Sequence, residues 1–333
     1  MVGTPALVAL AACLGISVST QTRAAEGETA PLADKKQRHA APAHRKGAVY
    51  RVGPNRELRV PSQAARLVRD GDVVLIDAGV YRDCAVWRAN RLVLRGANGI
   101  AHVKDISCEG KGIWVIYGHA VRVENMRFSG SKVAHRNGAG IRFRGGLLVV
   151  RNSYFYNNQM GILTYNKRKS SLLVERSTFQ QNGDCASFFG HGVYTGSISK
   201  LRIVGSTFRS YKFGHHIKSR ALITEIVGNR ILDGFDGTAS FAINIPTGGT
   251  AVIRNNVLEK GARSNNGMAM ISIGEKGVKN PSRGSVIASN MFKSEYRKRT
   301  RFVWNRSNQP LTMIGNRFTG KGAKLVGVGL VVN

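Results

Sequence analysis

The chain has 333 residues and carries 50 Lys and Arg against 19 Asp and Glu, a formal net charge of +31. Such an excess argues against a neutral or cationic partner and for a polyanionic one, and the absence of any nucleic-acid-binding motif disfavours specific DNA or RNA recognition. Beyond the leader described next, no segment approaches the length of a transmembrane helix.

Residues 1–25 hold an apolar run, Ala6 to Val18, followed by small residues up to Ala24-Ala25, the pattern of a secretory signal peptide cleaved near Ala24 or Ala25. A periplasmic or secreted protein follows from that reading. Leu10-Ala11-Ala12-Cys13 also satisfies a lipoprotein box, so acylation at Cys13 is the alternative anchor. Residues 26–48 are rich in Ala, Pro, Lys and Arg without apolar period and read as a disordered basic linker. The rest, 49–333, reads as one elongated domain and is expected to be monomeric.

Ser62 to Arg69 predicts a short helix with Ser62 as N-cap, stopped by Asp70-Gly71-Asp72, and Val73-Val74-Leu75-Ile76 opens the first strand after it. From there a phrase recurs: aliphatics, a spacer, a small or amide residue, then Phe or an aliphatic. Phe128, Phe155, Phe179, Phe208, Ile231, Leu258, Phe292 and Phe318 close successive copies, 23 to 34 residues apart. That period marks a solenoid, whose repeats bury their apolar faces only by stacking. The runs alternate or are β-branched and are broken by Gly and Asn, which excludes helical and leucine-rich repeats and leaves an all-β, right-handed parallel β-helix with three short strands per coil. The helix at 62–69 then caps the open N-terminal end. Asn152, Asn229, Asn256, Asn290 and Asn316 fall at one tight turn of successive coils, where amides bond from coil to coil. Cys84 and Cys108 are about one coil apart, which fits either a disulfide or two buried thiols; Cys185 is left unpaired, and no Cys/His spacing suggests zinc.

Strand alternation places candidate functional residues in columns. With Ile141, Ile162, Val193, Ile217, Ile243, Ile271 and Val303 facing in, one outward column reads Arg142, Leu163, Tyr194, Lys218, Asn244, Ser272 and Trp304. The next reads Arg144, Tyr165, Gly196, Arg220, Pro246, Gly274 and Arg306. Coils are roughly 4.8 Å apart, so Arg142, Arg144, Tyr165, Tyr194, Lys218 and Arg220 form one patch. His191 and His215 have inward parity and belong inside the coil or at its edge, beside the patch; His216 has outward parity and is expected to meet ligand. The chemistry fits an acidic polysaccharide. β-Elimination at a uronic acid needs its carboxylate neutralised, a base for the C5 proton and an acid for the departing O4. Lys218 suits the base, Arg220, Arg142 and His216 the neutralisers, and Tyr194 the acid, with Arg144, Tyr165, His191, His215 and Asn244 as further substrate contacts. A hydrolase would need a pair of carboxyl groups, and the outward columns contain none. Asp233 and Asp236 share a turn and make a weak calcium site; no other metal or cofactor is indicated. Lys293 to Arg301, with five cations around Tyr296, reads as a solvated insertion or a basic clamp.

Val52-Gly53-Pro54, Ala78-Gly79-Val80-Tyr81, Asn137-Gly138-Ala139-Gly140-Ile141-Arg142, His191-Gly192-Val193-Tyr194-Thr195-Gly196, Gly214-His215-His216-Ile217-Lys218-Ser219-Arg220 and Pro246-Thr247-Gly248-Gly249 resemble a family of exported bacterial right-handed β-helix proteins with the pectate-lyase-like fold. The resemblance spans about residues 50 to 275. It implies polysaccharide lyase, epimerase or hydrolase activity, or glycan binding without catalysis. Members of that family often carry an acidic residue where this chain has Asn244, a departure that removes a possible acid, metal ligand or partner for Lys218. Polysaccharide lyase is the first expectation; a non-catalytic acidic-glycan-binding envelope protein and a uronate epimerase are the alternatives.

Overall fold

A computed structural model of the protein describes residues 47–183 and 190–332. The signal peptide, Cys13, the linker up to residue 46, and Cys185 lie outside the described residues. Every strand pairing in the coils is parallel, as stacked repeats of one supersecondary unit require. Ten strands form one face: Ala85–Trp87, Gly112–Ile116, Ala139–Phe143, Met160–Thr164, His191–Thr195, His215–Ser219, Ile243–Ile245, Ala269–Ile273, Thr300–Asn305 and Gly322–Val326. The remaining two strands of each coil, such as Ser171–Glu175 and Thr178–Gln180, build a second, 20-stranded sheet that bends around the core. The expected right-handed parallel β-helix is the observed fold.

The repeated phrase acts by stacking like on like. Phe128, Phe155, Phe179 and Phe208 are fully buried, with ring centroids 5.2, 4.7 and 4.6 Å apart in sequence, so each coil contributes one aromatic to a continuous column. Phe292 and Phe318 resume it at 5.1 Å. At the adjoining turn a buried polar ladder runs up the molecule: Asn229, Asn256 and Asn290 each direct backbone N–H and side-chain Nδ2 to the Oδ1 of the Asn one coil on, ending at Asn316, over 2.8 to 3.0 Å. Asn152 is not part of it. Its φ of +46° puts it in the left-handed turn position, and Ser153, Ser177 and Ser206 fill the ladder in those earlier coils. Cys84 and Cys108 form a disulfide between neighbouring coils.

The capping helix spans Pro61–Leu67, a residue earlier than expected. Val60, not Ser62, is the N-cap: Pro61 occupies the first helical position, where its missing N–H costs nothing, and Gln63 Oε1 accepts from the amides of Arg59 and Val60. Ser62 instead gives its backbone N–H to Asp83 at 2.8 Å. Pro61 and Ala64 are the buried residues by which the helix packs on the strands Val49–Val52 and Ala85–Trp87. The body begins slightly before residue 49, because Ala48 N–H already bonds Asp72. Among the described residues, no helix is long and apolar enough to cross a membrane.

Candidate functional site

The outward column is in the expected register: Arg142 pairs with Leu163, Leu163 with Tyr194, Tyr194 with Lys218, Lys218 with Asn244, Asn244 with Ser272 and Ser272 with Trp304. Along it lies a groove of about 560 Å³, lined by Arg142, Tyr165, His191, Tyr194, Lys218, Arg220 and, from a neighbouring loop, Lys276. Beneath its floor the inward Ser219 hydroxyl bonds Thr224 at 2.7 Å and Thr195 at 3.3 Å, so the backbone carrying Lys218 and Arg220 is held from below.

Two cation–aromatic units face the groove. Lys218 Nζ sits 5.0 Å from the Tyr194 ring centroid, and Arg220 Nε donates to Tyr194 Oη at 3.1 Å. Arg142 and Arg144 stack on Tyr165, 4.5 and 3.8 Å from its centroid. Arg142 Nε and Nη1 are buried without a hydrogen-bond partner in the protein, an arrangement that awaits an acceptor. Lys218 is only 8% exposed. Burial, reinforced by the charges of Lys276 and Arg220 and opposed by Glu275, lowers its pKa from 10.5 to about 8.

The histidines depart from simple alternation. His191 and His215, expected to hydrogen-bond inside the coil or at its edge, do so and stack on each other at 4.8 Å, and His191 also lines the groove. His191 stands edge-on to Tyr194 at 5.2 Å. His191 Nδ1 accepts the N–H of His215 at 3.0 Å, and His215 Nδ1 accepts that of Phe241 at 3.3 Å. With both Nδ1 lone pairs used, each neutral ring carries its proton on Nε2. Burial first, then neighbouring cations, hold both rings well below the usual histidine pKa.

His216, expected to meet ligand, is 1% exposed and points into the core. The position before the inward aliphatic lies inside each of these strands but is passed over in the coil-to-coil register, His191 pairing with His215 and then Val193 with Ile217, and it too is buried. Earlier coils place Gly140, Gly161 and Gly192 there, and a Cβ on them would come within 2.8 Å of Phe155, 2.7 Å of Phe179 and 2.0 Å of the Tyr211 hydroxyl. One coil on, His216 fills that slot against Tyr211, ring centroids 4.4 Å apart. His216 Nε2 is 3.7 Å from Asp233 Oδ1, beside an interior cavity of about 10 Å³ that Lys260 and Ser264 also line. Lys260 Nζ donates to the carbonyls of Ser240 and Ala269, and burial lowers its pKa to about 8. His216 is thereby removed from the candidate substrate contacts. The same turn dismantles the proposed calcium pair: Asp233 is 1% exposed and accepts from Ala239 N–H, while Asp236 lies on the surface near Arg263. Among the described residues there is no group of three or more metal-ligating side chains.

Asn244 keeps its place beside Lys218 but is fully buried and does not line the groove, and neither of its side-chain heteroatoms is hydrogen-bonded within the protein. The loop 274–280 went unanticipated. Lys276 N–H bonds Pro246 O at 2.8 Å and Asn280 Nδ2 reaches Arg220 O at 3.3 Å, which folds the loop back over earlier coils. It delivers Lys276 to the groove and Glu275, bonded by Ser272 Oγ at 2.8 Å, to its margin. The proline-glycine turn Pro246-Thr247-Gly248-Gly249 was the only sequence signal near it.

A protein-family model described as right handed beta helix region matches residues 92–258. No curated protein matches the chain. Among solved structures, the chain is similar to an alginate lyase from Paenibacillus sp. str. FPU-7, at 16% identity and a TM-score of 0.64, covering 85% of this chain and 99% of that one. It is also similar to the pectate lyase Pel9A, at 12% identity and a TM-score of 0.57, covering 85% and 78%. At these identities the likeness is one of fold.

Proposed function

The chain belongs to the right-handed β-helix family, and from that premise we propose that it is an exported protein acting on an acidic polysaccharide, cleaving it by β-elimination at a uronic acid. The observation that carries the reading is Lys218: a buried amine with a pKa of about 8, set among Arg220, Lys276 and Tyr194 in an open groove with no pair of carboxyl groups. An amine near that pKa is substantially neutral in mildly alkaline solution and can take a proton. Two solved structures of similar fold are, by name, an alginate lyase and a pectate lyase, which supports this substrate class.

The step is as follows. Arg220 and Lys276 neutralise the uronate carboxylate, so that C5–H becomes acidic, while Arg142, three coils along the groove, meets the carboxylate of another sugar of the same polymer. Lys218 Nζ removes the C5 proton; the electron pair forms the C4–C5 double bond, and the C4–O4 bond breaks. Tyr194 gives its hydroxyl proton to the departing O4. Because Tyr194 Oη already accepts from Arg220 Nε, the phenolate that forms is stabilised where it stands. The neutral His191, lining the groove, is available as an uncharged donor to sugar hydroxyls.

The test is ultraviolet absorbance of the unsaturated uronate on incubation with alginate, pectate, hyaluronan, heparan and glucuronan. Product that disappears in Lys218→Ala supports the assignment. Polymer retained without product leaves a glycan-binding protein, and solvent-deuterium uptake without cleavage makes it an epimerase. Export is checked separately by sequencing the N-terminus of the mature protein, expected near residue 25.

A further inference from the structure

A second cavity, of about 610 Å³, lies next to the groove at the corner where the ten-stranded face turns. It is walled by Tyr117, His119, Arg144 and the loop residues Lys167, Arg168 and Lys169, over a floor of Gly145 and Gly146. The floor admits no side chain: a Cβ on Gly146 would lie 2.4 Å from His119 Nδ1, and its φ is +98°. Arg144 is the wall shared with the groove, because its guanidinium lies between the Tyr117 ring, 4.9 Å away, and the groove-lining Tyr165, 3.8 Å away. Glu109 is the carboxylate near this corner, and it is engaged by Tyr117 Oη at 2.9 Å and Arg88 at 3.5 Å. Among the described residues, Arg144, Lys167, Arg168 and Lys169 have no acidic group within ion-pair distance.

We infer that this cavity is a distal anion subsite for the same acidic polymer that lies over Lys218, so that the protein selects long stretches of polyanion over short ones. The inference rests on the acidic-polysaccharide reading and extends it. Charge complementarity and the shared Arg144–Tyr165 wall identify the occupant as the continuing polymer. From the coil of Lys218 it is two coil steps to that of Lys167–Lys169 and four to that of Tyr117, roughly 10 and 19 Å, so a mono- or disaccharide centred on Lys218 does not reach across the cavity.

The test measures binding of size-graded uronate oligomers, by calorimetry, to the wild type, to Lys167→Ala/Arg168→Ala/Lys169→Ala, and to a charge-matched control on the 20-stranded sheet, Arg209→Ala/Arg230→Ala/Arg254→Ala. The control residues are exposed and line neither cavity. In the wild type, affinity should climb with oligomer length. The loop variant should lose about tenfold for long oligomers, the sum of three exposed ion pairs, with a shallower salt dependence and unchanged affinity for the shortest binders. Loss equal to that of the control, or no loss, overturns the distal subsite while leaving the Lys218 reading intact. Failure of every uronate oligomer to bind the wild type overturns both. A wild type that binds with length dependence but forms no unsaturated product keeps the subsite and removes the lyase.

Discussion

The two sheets of this solenoid treat positive charge in opposite ways. On the 20-stranded sheet, four cations meet carboxylates in the next coil, Arg95 with Glu124 at 2.7 Å, Arg151 with Glu175, and Lys200 and Arg202 with Glu225 at 2.6 and 2.5 Å, while others such as Arg122, Arg230 and Arg254 stand singly among the described residues. Three of these pairs are direct register partners, Arg95 with Glu124, Arg151 with Glu175 and Arg202 with Glu225, so the strand pairing itself sets them face to face. On the groove face and its corner, Arg142, Arg144, Lys218, Arg220, Lys276 and Lys167 to Lys169 have no such partner among the described residues. Arg142, Arg144, Lys218 and Arg220 lean on tyrosines instead. Stacking like charges at coil spacing costs stability, and the cost is recovered only when an anionic ligand arrives. Coil-to-coil ion pairs therefore occur on the 20-stranded sheet, whereas over the groove the cations are left open to a ligand.

This contrast can be broken most sharply at Lys218. Lys218→Ala should lower elimination by at least a hundredfold while leaving polymer binding within a few fold, measured by initial rates and calorimetry. In the wild type the rate should rise with pH through about 8 and level off above it, since only the neutral amine accepts the proton. Tyr194→Phe comes next. It keeps the ring against Lys218 and removes the acid, so kcat should fall by on the order of a hundredfold with KM little changed.

Stability offers a smaller effect with a definite sign. Lys218 and Lys260 have folded pKa values of about 8, below the 10.5 of the free side chain. Between those limits the unfolded chain binds more protons, so unfolding free energy should increase with pH from about 8 to about 10.5 and gain nothing below 8. The slope is up to about 1.4 kcal/mol per pH unit for each lysine. Lys260→Met should flatten it in urea titrations, and Lys218→Met should do so independently. Smallest of all should be a change on the compensated sheet: Arg202→Ala should alter stability by less than about 1 kcal/mol and polymer affinity not at all, whereas Arg142→Ala, in the uncompensated set, should weaken binding.

Much of this was legible in the sequence because stacked coils repeat one pattern. The Phe column and the outward column from Arg142 to Trp304 follow from period and parity, and both hold in register. Parity misled at His216, which lies within the strand His215–Ser219 at a position that the coil-to-coil register passes over, a placement foreshadowed by the glycines Gly140, Gly161 and Gly192 in the preceding coils. Asn152 shifted by one residue for a comparable reason, since the left-handed position and the ladder position are adjacent and Ser153 also satisfies the ladder. The loop carrying Glu275 and Lys276 was illegible because its path depends on bonds to Pro246 and Arg220, tens of residues away. The distal cavity combines three corner loops and leaves no local motif.

The most direct test of an uncompensated groove built around a neutralisable lysine is the pH dependence of unsaturated-uronate formation by the wild type, beside Lys218→Ala. The account predicts a rate that climbs through about pH 8 and is absent in the variant. A rate that ignores pH across that window, or survives in Lys218→Ala, would contradict it.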